Sequence, residues 1–237
     1  MKWTRNPGRI AGLLYLLLVI AAPIRVLYIP SMLFVRGNAT ATASNIATHE
    51  LLFRLGIISD LFCGVVLIFL VLALYGLFKG VDQKLATLMV ILGGVMPATI
   101  NFVNVLNDAA ALILVRGADF LSVFNKPQRD ALAMLFLRMQ HQEVIAAEIL
   151  FGLWLLPLAA LVYRSGFLPR FLGIWLGING LVYIVLSFTG FLLPQYESIV
   201  DKVIIPAELG EIAFMLWLLI KGANPARATI APTSTLV

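Results

Sequence analysis

The sequence has a single cysteine, Cys63, and it sits inside an apolar run. One thiol closes no intrachain disulfide and builds no cysteine-based zinc site, so neither device can hold the fold. Cys63 reads as a small buried hydrophobe. Charge is also scarce. Asp, Glu, Lys and Arg make up 12% of the chain, about half the share found in ordinary soluble domains. Histidine occurs twice, as His49 and His141. There is no Gly-rich phosphate loop, nucleophile elbow, HExxH pair or Cys–His signature, so the usual sequence marks of nucleotide, acyl and zinc-protease chemistry are missing. The net charge is +5. Its Lys and Arg residues are scattered between apolar runs and form no basic stripe, which argues against nucleic acid as a partner. Attraction to anionic lipid head groups accounts for them better.

What the sequence does have is apolar surface. Of its 237 residues, 61% are hydrophobic, against about 45–50% in soluble domains. Mean hydropathy is +0.99. A soluble domain of this length could not hide so much, so the expected solvent is a bilayer. The first apolar run could pass for a signal peptide. Val19-Ile20-Ala21 is a poor cleavage site, however, and the run continues to Tyr28, so it reads as a first transmembrane helix. Six spans are expected, at 10–29, 52–78, 85–114, 140–163, 171–193 and 205–221, each near or above the ~20 residues that cross hydrocarbon. The fold class is therefore all-α: a single six-helix membrane domain over 1–221, then a disordered cytoplasmic tail over 222–237, rich in Ala, Thr and Pro.

An even number of spans puts both termini on one side. If that side is the cytoplasm, the inner segments hold nine Lys and Arg and one acid, Asp82. The short inner loops 79–84 and 164–170 carry two cations each, which favours N-in, C-in. Those short loops also make spans 2 and 3, and spans 4 and 5, antiparallel neighbours. Asn125-Lys126-Pro127 reads as a helix cap with proline in the first turn, starting a long fourth helix. From Pro127 to Tyr163 is 37 residues, about 55 Å and longer than the bilayer is thick. Gly173-xxx-Gly177 with Gly180 would let span 5 approach another helix closely; Gly8-xxx-Gly12 and Gly76-xxx-Gly80 have the same spacing. Asn38-Ala-Thr40 is a formal glycosylation sequon.

Against this background the stretch NFVNVLNDAAALILV, 101–115, stands out. On a helix Asn101, Asn104 and Asp108 fall within about 60° of arc, and Asn107 lies off it. An ionised group at the centre of a span costs about 2.5–3.5 kcal/mol on the insertion scale. Asp60, Asp108, Glu148, Glu208 and Glu211 each need a reason. Under the N-in topology all lie about 6–14 Å below the outer surface, as do Arg25 and Arg54. Glu208 follows Pro206 and reads as a first-turn residue that caps free amides. Asp60, Asp108 and Glu148 are too deep for that. Either they pair with Arg25 or Arg54 or share protons between helices, or they form a site. The expected chamber is lined by Asp60, Asn101, Asn104, Asp108, His141, Glu148 and Glu211, with Arg25 or Arg54 as counter-charge. His141 and Glu148 are seven apart and share a helical face. Two histidines with carboxylates could ligate zinc, although the spacing is not that of a known motif. No cofactor is called for, and a metal stays open.

RIAGLLYLLLVIAAP (9–23), YRSGFLPRFLGIWLGINGLVYIV (163–185) and LGEIAFMLWLLIKG (209–222) resemble the bacterial membrane family catalogued as domain of unknown function 4386. NIATHELLFRLGIISDL (45–61) is similar in character. The 163–185 block is the most specific part. The resemblance implies a multi-pass protein of the bacterial inner membrane. It implies no activity and assigns no functional residue. Three readings are therefore open. The protein binds, senses or transports a small cation or amphiphile; it is an intramembrane enzyme acting on a lipid or isoprenoid, with Asp or Glu as base and possible metal help at His141; or it is a structural subunit. Acids outnumber bases in the outer layer, which points to a cation. The expected partners are membrane lipids and a small molecule or ion.

Overall fold

The computed structural model describes residues 6–224, without the side chains of 197–199 and 201–204. It is all-helical, with no strand among the described residues. The helices are α1 (Pro7–Leu33), α2 (Ala39–Thr48), α3 (Glu50–Phe78), α4 (Gln83–Arg116), α5 (Lys126–Arg164), α6 (Arg170–Leu192) and α7 (Glu197–Ile220). Among the described residues α1, α3, α4, α5 and α6 are long and apolar enough to cross a membrane. Many of their large apolar side chains are exposed, as on a lipid-facing surface: Ile20, Leu72 and Ile174 are examples.

Several expectations shift. The connection 30–51 contains a helix, α2. Asn38, the sequon residue, is its N-cap, and its side chain accepts from the Ala41 amide at 2.9 Å. The last helix begins at Glu197, eight residues before the expected start, so Pro206 lies inside it. Glu208 is therefore not in a first turn, and capping does not explain it. The long fourth helix is present, with 39 residues. Asn125 Oδ1 accepts from the Gln128 amide at 3.0 Å, and Gln128 Oε1 accepts from the Asn125 amide at 2.9 Å. This is a reciprocal capping box. Asn125→Ala is expected to cost about 1 kcal/mol, seen as faster amide exchange in the first turn of α5 alone. Of the expected tail, 225–237 lie outside the described residues. Its first residues are fastened: the Ala223 amide donates to Asn6 Oδ1 at 3.1 Å, and its carbonyl accepts from the Gly8 amide at 3.2 Å. Gly222 takes φ +72°, and its amide reaches back to the Trp217 carbonyl. Glycine terminates a helix in this conformation without a Cβ clash.

Two helices contain a π-turn, Ile24–Tyr28 in α1 and Ile91–Val95 in α4. They share a cause. In each, the residue that donates five positions back, Ile29 to Ile24 or Met96 to Ile91, immediately precedes a proline, Pro30 or Pro97. The proline ring crowds the carbonyl four residues before it. One wide turn relieves the crowding and keeps the helix going.

The chain divides into two units. One comprises Met1–Leu16, Leu67–Pro97 and Glu148–Val237; the other comprises Leu17–Val66 and Ala98–Ala147. In the first, Gly173 and Gly180 of α6 face the backbone of α5. A Cβ at Gly173 would lie 2.8 Å from the Ala159 carbonyl oxygen, and one at Gly180 2.9 Å from that of Gly152. Small residues permit this approach, and in lipid such close packing replaces the hydrophobic effect as the force between helices. Gly8 and Gly12 do the same for α1 against the end of α7. Gly76 and Gly80 face nothing within 4 Å, so that pair carries no packing role. The second unit has its own core, in which Ile29, Leu33, Ile46, Phe53, Ala111 and Leu137 are all buried. Here α2 closes over the ends of α1 and α3 through Ile46, and Asn45 Nδ2 donates to the Leu33 carbonyl at 3.1 Å.

Candidate functional site

The second unit holds the main buried charge. Arg25 is 1% exposed and sits in the π-turn of α1. Its Nε donates to Asp108 Oδ2 at 2.7 Å and its Nη2 to Asp108 Oδ1 at 2.6 Å. This is a bidentate fork, the strongest form of a guanidinium–carboxylate contact. Asp108 is fully buried. Asp60 Oδ2 lies 4.0 Å from Arg25 Nε, a second and looser acidic neighbour. The Phe34 ring centroid is 5.8 Å from the guanidinium carbon, within cation–π range. A Cβ at Gly56 would come within 3.2 Å of Arg25 Cδ, so glycine makes the room that the Arg25 side chain occupies. Asn104, one turn before Asp108, is buried and its Oδ1 has no hydrogen-bond partner. Asn101 faces Gly64 of α3.

Two expected roles change. Arg54 is exposed and does not serve a deep carboxylate: its Nε donates to Glu50 Oε1 at 2.7 Å, one turn back on its own helix. Glu50 also lies 3.7 Å from Arg116. Asn107, off the polar arc, donates to Glu143 Oε2 at 2.9 Å. Composition also failed to flag Asp130, a buried acid that pairs with Lys126 at 2.7 Å.

A cavity of about 850 Å³ opens beside the ion pair. Residues 25–37 of α1 and its following turn form one wall, and residues 134–144 of α5 form the other. Apolar side chains such as Val26, Phe34, Leu137 and Val144 face it, as do Gln140, Gln142 and Ser31. Of the expected site residues, only Arg25 and His141 bound it. Asp60, Asn101, Asn104, Asp108 and Arg54 do not, and among the described residues no carboxylate is in the lining. The basic side chains in the lining are Arg25, Arg36, Arg138 and His141. Arg36 and Arg138 went unnoticed in the sequence. The polar run Arg138-Met-Gln-His-Gln142 inside an apolar helix was the available signal.

Glu148 and Glu211 belong to the first unit. There Tyr15 Oη donates to Glu211 Oε2, and Asn179 Nδ2 donates to Oε1 at 2.9 Å. Asn179 is fully buried, with Oδ1 unpartnered. Trp154 and Phe214 pack against Tyr15 at ring-centroid distances of 6.5 and 6.4 Å. This acid is satisfied by neutral donors. Among the described residues no group of three or more His, Cys, Asp or Glu is gathered as a metal site. His49 and His141 are both exposed.

The profile of the family described as "Domain of unknown function (DUF4386)" matches residues 10–222. The chain belongs to this family. From residue 10 onward the match takes in the five membrane-length helices found among the described residues of this DUF4386 chain, with Asp60, Asp108 and Glu211. An uncharacterised protein of Archaeoglobus fulgidus is 32% identical over 87 residues, which are 35% of this chain and 49% of that protein. The match thus spans about half the length of that relative. No solved structure matches the chain.

Proposed function

We propose that the protein is a six-span protein of the cytoplasmic membrane that binds a single-chain amphiphile. The cavity between α1 and α5 is the binding site, and both termini lie in the cytoplasm. One observation carries the reading: a cavity of about 850 Å³ is lined by apolar side chains such as Val26, Phe34, Leu137 and Val144 together with polar ones, among them Arg36, Arg138 and His141. Its size falls within the roughly 300–1,000 Å³ of small-molecule sites, whose linings are likewise mostly apolar with a few polar groups. The Arg25–Asp108 pair holds α1 and α4 together beside the cavity. Arg25 is part of the wall of the site, and Asp108 stands behind it, outside the lining. In the proposed topology the cavity opens toward the outer leaflet, because residues 25–37 follow the first span outward.

The test is saturable binding of pyrene-labelled dodecyl maltoside to protein in nanodiscs of zwitterionic lipid, with empty discs subtracted. One site per chain is expected. Met134→Trp, which intrudes on the cavity from the α5 wall, should lower the affinity at least about tenfold while the melting temperature stays within a few degrees. Linear partition without saturation, or equal binding by Met134→Trp, would sink the reading.

A second reading, a structural subunit, draws on a different observation. Arg25 and Asp108, both buried, and the half-buried Glu211 already have internal partners. Such networks fix helix packing without needing a ligand. On that reading, no amphiphile saturates.

A further inference from the structure

We infer that the amphiphile carries an anionic head group, a phosphate or carboxylate, held by Arg36 and Arg138. This rests on the cavity being an amphiphile site, as proposed above. The inference comes from the balance of charge around the cavity, which depth along the helices does not reveal. Arg25 is neutralised by Asp108 through two short bonds. Arg36 and Arg138 make no ion pair among the described residues. Both bound the cavity, and both are exposed rather than locked in the helix packing, so their guanidinium groups are open to a ligand. Among the described residues no carboxylate shares the lining with them.

Arginine suits this role. Its planar fork binds phosphate or carboxylate with two parallel hydrogen bonds and stays charged at every physiological pH. Arg36 comes from the turn after α1 and Arg138 from α5, so the cations approach from separate walls of the cavity. Gly37, at φ +71°, allows the chain to reverse directly after Arg36. Gln142 and Ser31, also in the lining, add neutral polar groups to the same site. A cationic head group would lose hydration and meet two like charges. A neutral one would leave both positive charges without a counter-charge in the lining.

The test is competition against the pyrene-labelled maltoside by three dodecyl compounds that differ only in head group: dodecyl phosphate, dodecyl trimethylammonium and unlabelled dodecyl maltoside. Inorganic phosphate is a fourth competitor. Dodecyl phosphate should displace the probe at a concentration at least about tenfold lower than the other two chains. In the double variant Arg36→Gln, Arg138→Gln that preference should vanish, with the three chains competing alike. Inorganic phosphate alone should not compete in the millimolar range. If it competes as well as dodecyl phosphate, the site takes a free anion and the inference fails. Equal competition by all three head groups in the wild type also overturns the inference, and leaves the amphiphile site standing. If the probe itself never saturates, the amphiphile site falls too.

Discussion

Replacing Asp60 and Asp108 together by asparagine is expected to cost about 3–5 kcal/mol, the cost of stranding a buried charge. The guanidinium of Arg25 is 1% exposed and cannot shed its proton to escape. Asp108→Asn alone should cost less. Asp60 already lies 4.0 Å from Arg25 Nε and remains as a counter-charge. Asp60→Asn alone should cost least, since the bidentate bonds to Asp108, at 2.6 and 2.7 Å, survive. Arg25→Met is milder than the double amide, because a carboxyl left in a dry site can take up a proton. The variant Arg25→Met, Asp108→Leu removes both charges and should recover most of what Arg25→Met loses. Buried ion pairs replaced by apolar groups of similar volume are often neutral or stabilised. The series is read from melting temperatures of detergent-solubilised protein by size-exclusion chromatography. An Asp60→Asn loss equal to that of Asp108→Asn would refute the assignment of Asp108 as the primary partner.

How much of this was legible in the sequence depends on which property is asked for. The apolar runs announced their helices because a span needs length and apolarity, both one-dimensional properties. The cap at Asn125 was equally readable, since the residues that make it are adjacent. The face shared by Asn104 and Asp108 followed from helical periodicity, and Arg25 was named as a candidate partner. The choice between Arg25 and Arg54 was harder, though a local clue was present. Glu50 lies four residues before Arg54, a spacing that pairs side chains on one helix. Arg25 has no such neighbour and must look to other helices.

The sign of the cavity was not legible. Counting acids and bases by depth treats each helix as a line, whereas a cavity is lined by one face. Asp108 and Arg138 can share a level and still point in different directions. The acids turned inward to α1, and the residues left facing the cavity were Arg138, Gln140 and His141. The start of the last helix was misread for a related reason. Pro206 resembles a first-turn residue, and only the path of residues 197–205 shows that helix precedes it. The Pro206 carbonyl is not idle: Trp175 Nε1 of α6 donates to it at 3.0 Å.

Alanine at Gly12 or Gly173 is expected to destabilise the protein by about 1–3 kcal/mol, the usual cost of overpacking. At Gly76 the same substitution should be neutral or stabilise by up to about 1 kcal/mol, the helix-propensity gain of alanine over glycine. The three differ only in what the new methyl group meets. At Gly12 it would lie 2.6 Å from the Leu219 amide nitrogen and 2.9 Å from its Cα. At Gly173 it would lie 2.8 Å from the Ala159 carbonyl oxygen and 2.8 Å from the Tyr163 nitrogen. These are backbone atoms of packed helices, so no side-chain rotation gives relief and whole helices must move apart. At Gly76 nothing lies within 4 Å. Lipid offers helices no hydrophobic gain on meeting, so the lost contact is not made up elsewhere. Melting temperatures of the three variants in one detergent give the comparison. A Gly12→Ala protein as stable as Gly76→Ala would mean that α1 does not rest on α7 through its glycines.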